Sequence, residues 1–510
     1  MDKYGVLKQV FGYDSFRPGQ EELVDSLLSG RDAMGIMPTG AGKSICFQVP
    51  GILLPGITLV VSPLISLMRD QVNALVQAGV RGAFLNSSLT PGQYRKALYN
   101  ARQGVYKIIY VAPERLLTRE FLDFAQSVPV SMVCIDEAHC VSQWGQDFRP
   151  GYLKISQFLE SLPKRPVVAA FTATATRQVR EDILKLVGLQ NPKVVITGFN
   201  RKNLYFGVRK PRDKFRELLH ILREEGDKSG IVYCSTRKLV EEVCDKLKEA
   251  GYPAARYHAG LSDEEREQSQ EDFLYDRKTV MVATNAFGMG IDKSNVSYVI
   301  HYNMPKDLES YYQEAGRAGR DGSPAKCILL YSGSDVRLNR FMIEKEKDNV
   351  ELDEETAKQV REKELERLKL MTFYATSRRC LRQYQLRYFG ETGIPDYCGN
   401  CSICLHEERE TVWEPSLKTP VSRRPAAKRP AADDLELDEA LFQRLRQLRL
   451  KLARSAGIPP YAVFTDATLR DMCIYKPQTE KELLSIPGIG ERKLQRYGAL
   501  FLREIKGKKG

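Results

Sequence analysis

No run of about 18 or more apolar residues occurs anywhere in the 510-residue chain, so no membrane-crossing helix is expected from hydropathy. The N-terminus, Met1-Asp2-Lys3-Tyr4-Gly5, lacks the apolar centre of a secretory leader, and a cytoplasmic protein is expected. No repeat array is visible, which excludes a solenoid. A disulfide framework is not expected either, although the chain has 11 cysteines, because an intracellular compartment keeps thiols reduced. Cys46, Cys134, Cys140, Cys234, Cys244 and Cys327 are dispersed, mostly within or beside apolar runs, and read as small buried hydrophobes. An acidic excess is also lacking. The net charge is +12, which suits a polyanionic partner, since Lys and Arg gain affinity by displacing counterions from a phosphate backbone. A merely basic soluble protein would share that charge, so the partner has to be argued from motifs.

The chain is too long for one core, and three or four domains are expected. Short apolar runs alternate with helical patterns up to about residue 330. Ile57–Ser62, Val105–Val111, Val133–Ile135 and Val167–Thr172 form one series of candidate strands. Ile231–Ser235, Thr279–Ala283 and Tyr298–Tyr302 form a second. Apolar strands separated by helices predict parallel sheets, hence an α/β fold of two lobes joined near residues 200–212. Residues 335–372 are helical in pattern and densely charged. Residues 409–434, with Pro415, Pro420, Pro425 and Pro430 among Ala, Arg and Lys, read as a flexible linker. Helical periodicity returns from 435.

Met37-Pro-Thr-Gly-Ala-Gly-Lys-Ser44 lies between an apolar run and a helix pattern. Backbone N–H groups from Thr39 to Gly42 can wrap a phosphate because Gly40 and Gly42 tolerate conformations that other residues resist. Lys43 would reach the β- and γ-phosphates of ATP, and Ser44 would ligate Mg²⁺. Met37 stands where the first glycine of such a loop is usual. Val133-Cys-Ile-Asp-Glu-Ala-His139 reads as a buried strand ending in two acids. Asp136 would hold the metal through its water shell, and Glu137 would polarise the attacking water. In Gln313-Glu-Ala-Gly-Arg-Ala-Gly-Arg320, Arg317 and Arg320 are three apart and are expected to share a helix face. An arginine from the second lobe can neutralise charge developing on the γ-phosphate, which makes hydrolysis depend on lobe closure. The competing readings are a solvated acidic turn and a basic helix facing solvent or nucleic acid.

These segments, with Thr172-Ala-Thr-Ala-Thr176, resemble the ordered motifs of superfamily 2 helicases, and further segments resemble the RecQ family of DNA helicases. Phe16-Arg-Pro-Gly-Gln20 is similar to the family's adenine-reading motif, which implies that Gln20 meets the base edge with Tyr13 and Arg17 beside the ring. The resemblance also implies Gln313 at the nucleotide. Ser62–Asp70, Ala112–Arg115 and Ala283–Asp292 are similar to the remaining motor segments. Gln143-Trp-Gly-Gln-Asp-Phe-Arg149 resembles the family's aromatic-rich loop, which implies that Gln143, Trp144, Phe148 and Arg149 meet single-stranded DNA. Base stacking on Trp144 and Phe148 would contribute about 1–3 kcal/mol each. Gln146 stands where most members have His.

Cys380, Cys398, Cys401 and Cys404 are spaced C-x17-C-x2-C-x2-C, which suits a closed structural Zn²⁺ site, and the family has its zinc subdomain here. Tyr388–Glu391 matches the family's Tyr-Phe-Gly-Glu run. RecQ enzymes commonly follow the zinc site with a winged-helix domain of about 100 residues. The linker leaves no place for one, so a short form without it is expected. Ile458–Asp466 and Ile486–Lys493 resemble a helicase-and-RNaseD C-terminal (HRDC) domain. Its Gly-containing turn could either meet a phosphate or cap two helices.

The resemblance implies two RecA-like helicase lobes at 1–205 (ATP-binding) and 206–335, a helical hairpin and zinc-binding subdomain at 336–408, the linker at 409–434, and an all-α HRDC domain at 435–510. The activity it implies is an ATP-dependent 3′-5′ DNA helicase acting on single-stranded and tailed duplex DNA in recombination and repair, at the nucleoid in a bacterium. An RNA-stimulated ATPase of the same superfamily, or a DNA-binding and strand-annealing protein, would leave these features less well explained.

Overall fold

The computed structural model describes residues 1–145, 147–287, 293–345, 354–407, 438–456, 458 and 460–507. The expected linker, Gln146 and the last five residues of the Ala283–Asp292 segment lie outside them.

Thirteen strands are described. β1 (Ala33–Ile36), β2 (Ile57–Val61), β3 (Gly82–Leu85), β4 (Ile108–Val111), β5 (Val130–Ile135), β6 (Val167–Thr172) and β7 (Lys193–Ile196) form one sheet, in the order β3-β4-β2-β5-β6-β1-β7. β8 (Leu204–Arg209), β9 (Gly230–Tyr233), β10 (Ala254–Tyr257), β11 (Val280–Ala283), β12 (Tyr298–His301) and β13 (Ala325–Leu330) form the second, in the order β10-β11-β9-β12-β13-β8. Neighbouring strands pair in parallel in both sheets, as at Ala33↔Ala169 and Tyr298↔Gly230. The central strands β1, β2, β4, β9, β11 and β12 are buried along their whole length, because helices cover both faces of each sheet. That is why they read as unbroken apolar runs. At the edge, β7 alternates instead, with Val194 and Ile196 exposed and Val195 inside. Loops leaving the carboxyl ends of β1, β5 and β6 converge on one side, the usual place for a ligand on an open parallel sheet.

After the second sheet come the helices Gly333–Lys345 and Glu354–Thr376, then Leu381–Tyr388. The four sulfurs of Cys380, Cys398, Cys401 and Cys404 lie within 4.8 Å of one another. Backbone N–H groups point at them: Gln383 to Cys380 (3.5 Å), Asn400 to Cys398 (3.4 Å), Cys404 to Cys401 (3.5 Å) and Cys398 to Cys404 (3.4 Å). Such donors favour thiolates over thiols, so the set fits a divalent soft metal such as Zn²⁺. The zinc loop also covers an open sheet edge. Cys401 bridges Phe206 of β8, Ser402 N–H donates to the Phe206 carbonyl at 2.9 Å, and Asn400 Nδ2 donates to the Leu204 carbonyl at 3.0 Å. Arg382, buried, donates to the Arg201 carbonyl at 2.6 Å and to that of Leu204. A neighbouring stack ties this subdomain to the first lobe: the rings of Phe199 and Phe389 lie 4.6 Å apart at 19°.

The C-terminal bundle consists of Glu439–Ala456, Pro460–Val463, Asp466–Tyr475, Glu480–Leu484, and Glu491–Lys493 continuing through Leu494–Gly498 into Ala499–Ile505. Its core holds an ion pair, Arg449 to Asp466 at 2.6 Å, with Arg449 Nη1 also donating to the Phe464 carbonyl at 2.9 Å. No described helix is long and apolar enough to cross a membrane.

Metal binding at the four sulfurs should carry folding energy on the order of 10 kcal/mol, far above any single surface contact. Cys401→Ser is expected to abolish stoichiometric zinc, measured by colorimetric chelator release, and to lower the Tm by roughly 5–10 °C. Loss of zinc with an unchanged Tm would contradict this account of the β8 edge.

Candidate nucleotide and nucleic-acid site

The phosphate-loop segment leaves β1 and turns back into the helix Lys43–Leu53. Gly40 and Gly42 take φ of +86° and +80°, a left-handed backbone that side chains resist. Gly42 is the N-cap, so unpaired N–H groups at the helix start face the cleft. Met37 is buried beneath the loop, with Cys46 Sγ 3.7 Å from its sulfur. That packing explains an apolar residue where a glycine is usual. Gln20 is drawn to the same loop. Its Nε2 donates to the carbonyls of Ala41 and Gly42, both at 3.0 Å, and its Oε1 accepts from Arg17 N–H at 2.8 Å. Both amide protons therefore brace the phosphate loop here, where the resemblance implied a contact with the base. Arg17 Nη1 donates to the Gly40 carbonyl at 2.7 Å.

Asp136 extends β5 by donating its N–H to Val61 at 2.9 Å. Glu137 then turns the chain at φ +47°, a strained conformation for a side-chain-bearing residue, at about 1–2 kcal/mol. The turn points Glu137 at Lys43, 3.7 Å away, with His139 Nδ1 at 3.4 Å from its other oxygen. His139 Nδ1 also meets Thr172 Oγ1 at 2.9 Å, which joins the acid pair to the end of β6. Burial, then the neighbouring Glu137, raises the Asp136 carboxyl well above the ordinary carboxylate range. Burial would also raise Glu137, but Lys43, His139 and Arg317 outweigh it and hold it below its usual value. An Asp whose charge is that poorly compensated is what a site needing a divalent cation contains, and Ser44 lines the same cleft.

The second lobe closes this cleft. Gly316 and Gly319 break the helix Leu308–Ala315, and Gly319 takes φ +55°. Arg317 and Arg320 therefore lie on a turn, which corrects the expectation of one helix face. The turn still brings both, with Gln313, to the wall opposite Lys43. Contact is tight at Gly316, where a Cβ would lie 3.2 Å from Thr39 Cβ, and a Cβ on Gly40 would meet Arg320 Cα at an ordinary 3.5 Å. Arg201 spans the boundary. Its Nη1 donates to the carbonyls of Thr39 (3.2 Å) and Gly316 (2.7 Å), and its Nη2 to those of Ala318 (3.0 Å) and Gly319. Sequence reasoning missed Arg201, whose only visible mark was its place in the joint between lobes.

The aromatic-rich loop continues directly from the acid pair. Gln143, Trp144, Phe148 and Arg149 are all half-buried, an intermediate state between free stacking platforms and core. Trp144 packs on the first lobe's apolar core, with the Lys363 ammonium 5.6 Å from its ring centroid. Gly145 lies so close to the preceding turn that a Cβ would come within 2.5 Å of the His139 carbonyl. Arg149 Nη1 donates to the Pro63 carbonyl at 2.8 Å, and Asp147 pairs with the same guanidinium at 3.1 Å.

A fourth wall was not anticipated. Thr465, Thr468, Asp471, Pro487, Gly488 and Lys493 of the C-terminal bundle line the cleft together with Tyr13, Gln20 and Lys43. Gly488 N–H donates to the Gly12 carbonyl at 2.8 Å, so the Gly-containing turn docks on the first lobe with the N–H that was a candidate phosphate donor. Arg496 Nη1 donates to Gln77 Oε1 at 2.7 Å on the first lobe, while Arg470 lies 3.6 Å from Asp321 and also meets Ser323 on the second. Burial lowers the Lys493 ammonium to about 8.

Four family models match along the chain: DEAD/DEAH box helicase at 17–183, helicase conserved C-terminal domain at 213–322, RecQ zinc-binding at 333–405 and HRDC domain at 438–505. The ATP-dependent DNA helicase RecQ of Bacillus subtilis (strain 168) is 39% identical over 98% of this chain and 98% of its own length. That of Pasteurella multocida (strain Pm70) is 35% identical over 98% of this chain and 93% of its own. Among solved structures, the DEAD-box helicase Mss116 bound to ssRNA and UDP-BeF superposes with a TM-score of 0.55, covering 73% of this chain and 84% of that one. At 19% identity that likeness speaks for the fold alone. The two parallel-sheet lobes, the four-cysteine cluster, the C-terminal bundle and these relatives agree: the chain belongs to the RecQ family of ATP-dependent DNA helicases.

Proposed function

We propose that this helicase is a single-stranded-DNA-stimulated ATPase that moves 3′ to 5′ and opens duplexes carrying a 3′ single-stranded tail, in recombination and repair. The observation that carries this reading is the continuity of the loop Gln143–Arg149 with Asp136 and Glu137, through a turn on which Gly145 and His139 are in direct contact. Direction and pathway are taken from what is general to the family.

In this reading Lys43 and the N–H groups from Thr39 to Gly42 hold the phosphates, Arg17 and Tyr13 the base side, and Gln20 turns its amide from the loop carbonyls to the base edge when nucleotide enters. Ser44 and Asp136 would hold Mg²⁺, which when bound draws electron density from the γ-phosphate. Glu137 is held as a carboxylate by Lys43, His139 and Arg317, so it can accept a proton from the attacking water. Arg317 and Arg320 face the charge that develops on the transferred group, and Arg201 keeps their turn against Thr39. Trp144 and Phe148 would stack on DNA bases after leaving their half-buried positions.

We read the chain as a short form without a winged helix. The zinc-binding match ends at 405 and the HRDC match begins at 438, and the stretch between cannot hold a domain of about 100 residues. The alignment with the Bacillus subtilis relative spans 588 positions, so at least 78 of them face gaps in this 510-residue chain.

Lys43→Ala is expected to abolish both ATP hydrolysis and unwinding, measured by phosphate release and strand displacement; retained unwinding would refute the motor assignment. Glu137→Gln should keep nucleotide binding while lowering kcat by about 10²–10⁴. Hydrolysis should rise with single-stranded DNA, and stimulation by RNA alone would favour the RNA-dependent reading. Among tailed, forked and blunt substrates, only those with a 3′ single strand should open efficiently; rapid opening of a blunt duplex would contradict the short-form reading.

A further inference from the structure

The helix Glu354–Thr376, between the second lobe and the zinc site, reaches across to the aromatic-rich loop of the first. Arg367, 9% exposed, donates from Nη1 to the carbonyls of both Trp144 (2.8 Å) and Gly145 (3.2 Å). One turn earlier, Lys363 lies over the Trp144 ring. On its other side Arg367 is held by acidic groups tied to the second lobe. Glu364 is 4.0 Å from Nη2 and pairs with Lys306 at 3.0 Å. The charge of Arg367 also acts on the buried Glu309, which accepts from Tyr388 at 2.5 Å. The loop backbone is thus gripped by a cation beside two acids, Glu364 on its own helix, which pairs with Lys306 of the second lobe, and Glu309 in that lobe itself.

We propose that Arg367 is a positioning residue that links the aromatic-rich loop to the second lobe, so that DNA contact at Trp144 accelerates hydrolysis only while this grip holds. The physical path is short. Arg367 fixes the Gly145 carbonyl, Gly145 abuts the His139 carbonyl, and His139 faces Glu137 at 3.4 Å. A shift of the loop against a free backbone would dissipate in the loop; against an anchored one it moves the turn that aims Glu137. A buried guanidinium on two carbonyls is a stronger anchor than a surface ion pair, because solvent screens the exposed pair while a buried charge-assisted hydrogen bond is about twice as strong as a neutral one. Arg367 touches neither nucleotide nor the reacting atoms, and its effect is confined to the DNA-dependent part of the rate.

The inference rests on the reading of the loop as a DNA sensor, and the test separates the two. The chain has two tryptophans, Trp144 and Trp413, so Trp413→Phe leaves Trp144 as the single fluorescent reporter. In that full-length background, oligo(dT) should change Trp144 emission and raise kcat for ATP. Adding Arg367→Ala is expected to leave basal kcat and the KM for ATP within about twofold while DNA stimulation falls by about tenfold. Arg367→Lys, which keeps the charge but offers a single ammonium, should fall between them, and it guards against a misfolded alanine variant, as do zinc content and Tm. If the Trp144 signal still responds to DNA and Arg367→Ala is stimulated like its parent, the coupling role is wrong while the sensor reading stands. If Trp144 emission ignores DNA in the parent, the sensor reading fails and the coupling role falls with it. An equal fall of basal and stimulated rates in both Arg367 variants would also overturn the proposal, since a general packing role predicts that outcome.

Discussion

One guanidinium draws the two lobes together at the edge of the cleft. Arg201 lies at the joint between sheets and donates to Thr39 on one side and to Gly316, Ala318 and Gly319 on the other. Carbonyl oxygens at a phosphate loop and at the end of a broken helix are groups that ordinary secondary structure leaves unsatisfied. Satisfying both sets with one planar cation pulls the two segments to van der Waals distance. The approach is closest at Gly316, where a side chain would crowd Thr39. Everything assigned to Arg317 and Arg320 depends on that proximity.

The zinc subdomain secures the same joint from behind. Arg382 donates to the Arg201 carbonyl itself, so the residue that staples the lobes is held by the helix that begins at a cysteine of the metal cluster. The Phe199–Phe389 stack and the Arg180 bond to the Phe389 carbonyl, 2.7 Å, add a contact with the first lobe. The four cysteines therefore do more than close a small loop: they set the position of a sheet edge, of the joint at Arg201 and of a helix that reaches the aromatic-rich loop.

What could be read from the residues follows from where the information is local. Val167–Thr172 forms a strand over the expected span because an apolar run buried on both faces leaves no other economical conformation. The cysteine spacing was legible because four thiolates within one metal radius impose short separations. Arg317 and Arg320 were misread as a helix face, since two glycines within a helical pattern can either be tolerated or end it, and only the packing against Thr39 selects the latter. The bonds of Arg201 and the docking of the C-terminal bundle carried no signal, although the joint and the bundle themselves were expected: each depends on backbone carbonyls or single polar groups more than a hundred residues away. Gln20 shows the intermediate case, its place at the cleft readable from the motif but its bonds to Ala41 and Gly42 decided by the fold.

The polar contacts that seat the bundle across the cleft mouth, among them Gly488 to Gly12, Arg496 to Gln77 and Arg470 to Asp321, are each worth little alone and act beside apolar packing on the second lobe. Covalent continuity changes what such contacts can do. A partner on the same chain is presented at an effective concentration on the order of millimolar, whatever the dilution of the protein. Affinities too weak to assemble two separate molecules are then enough to keep the cleft covered. The occupancy of that cover is then set by competition among local contacts and not by how much protein the solution contains.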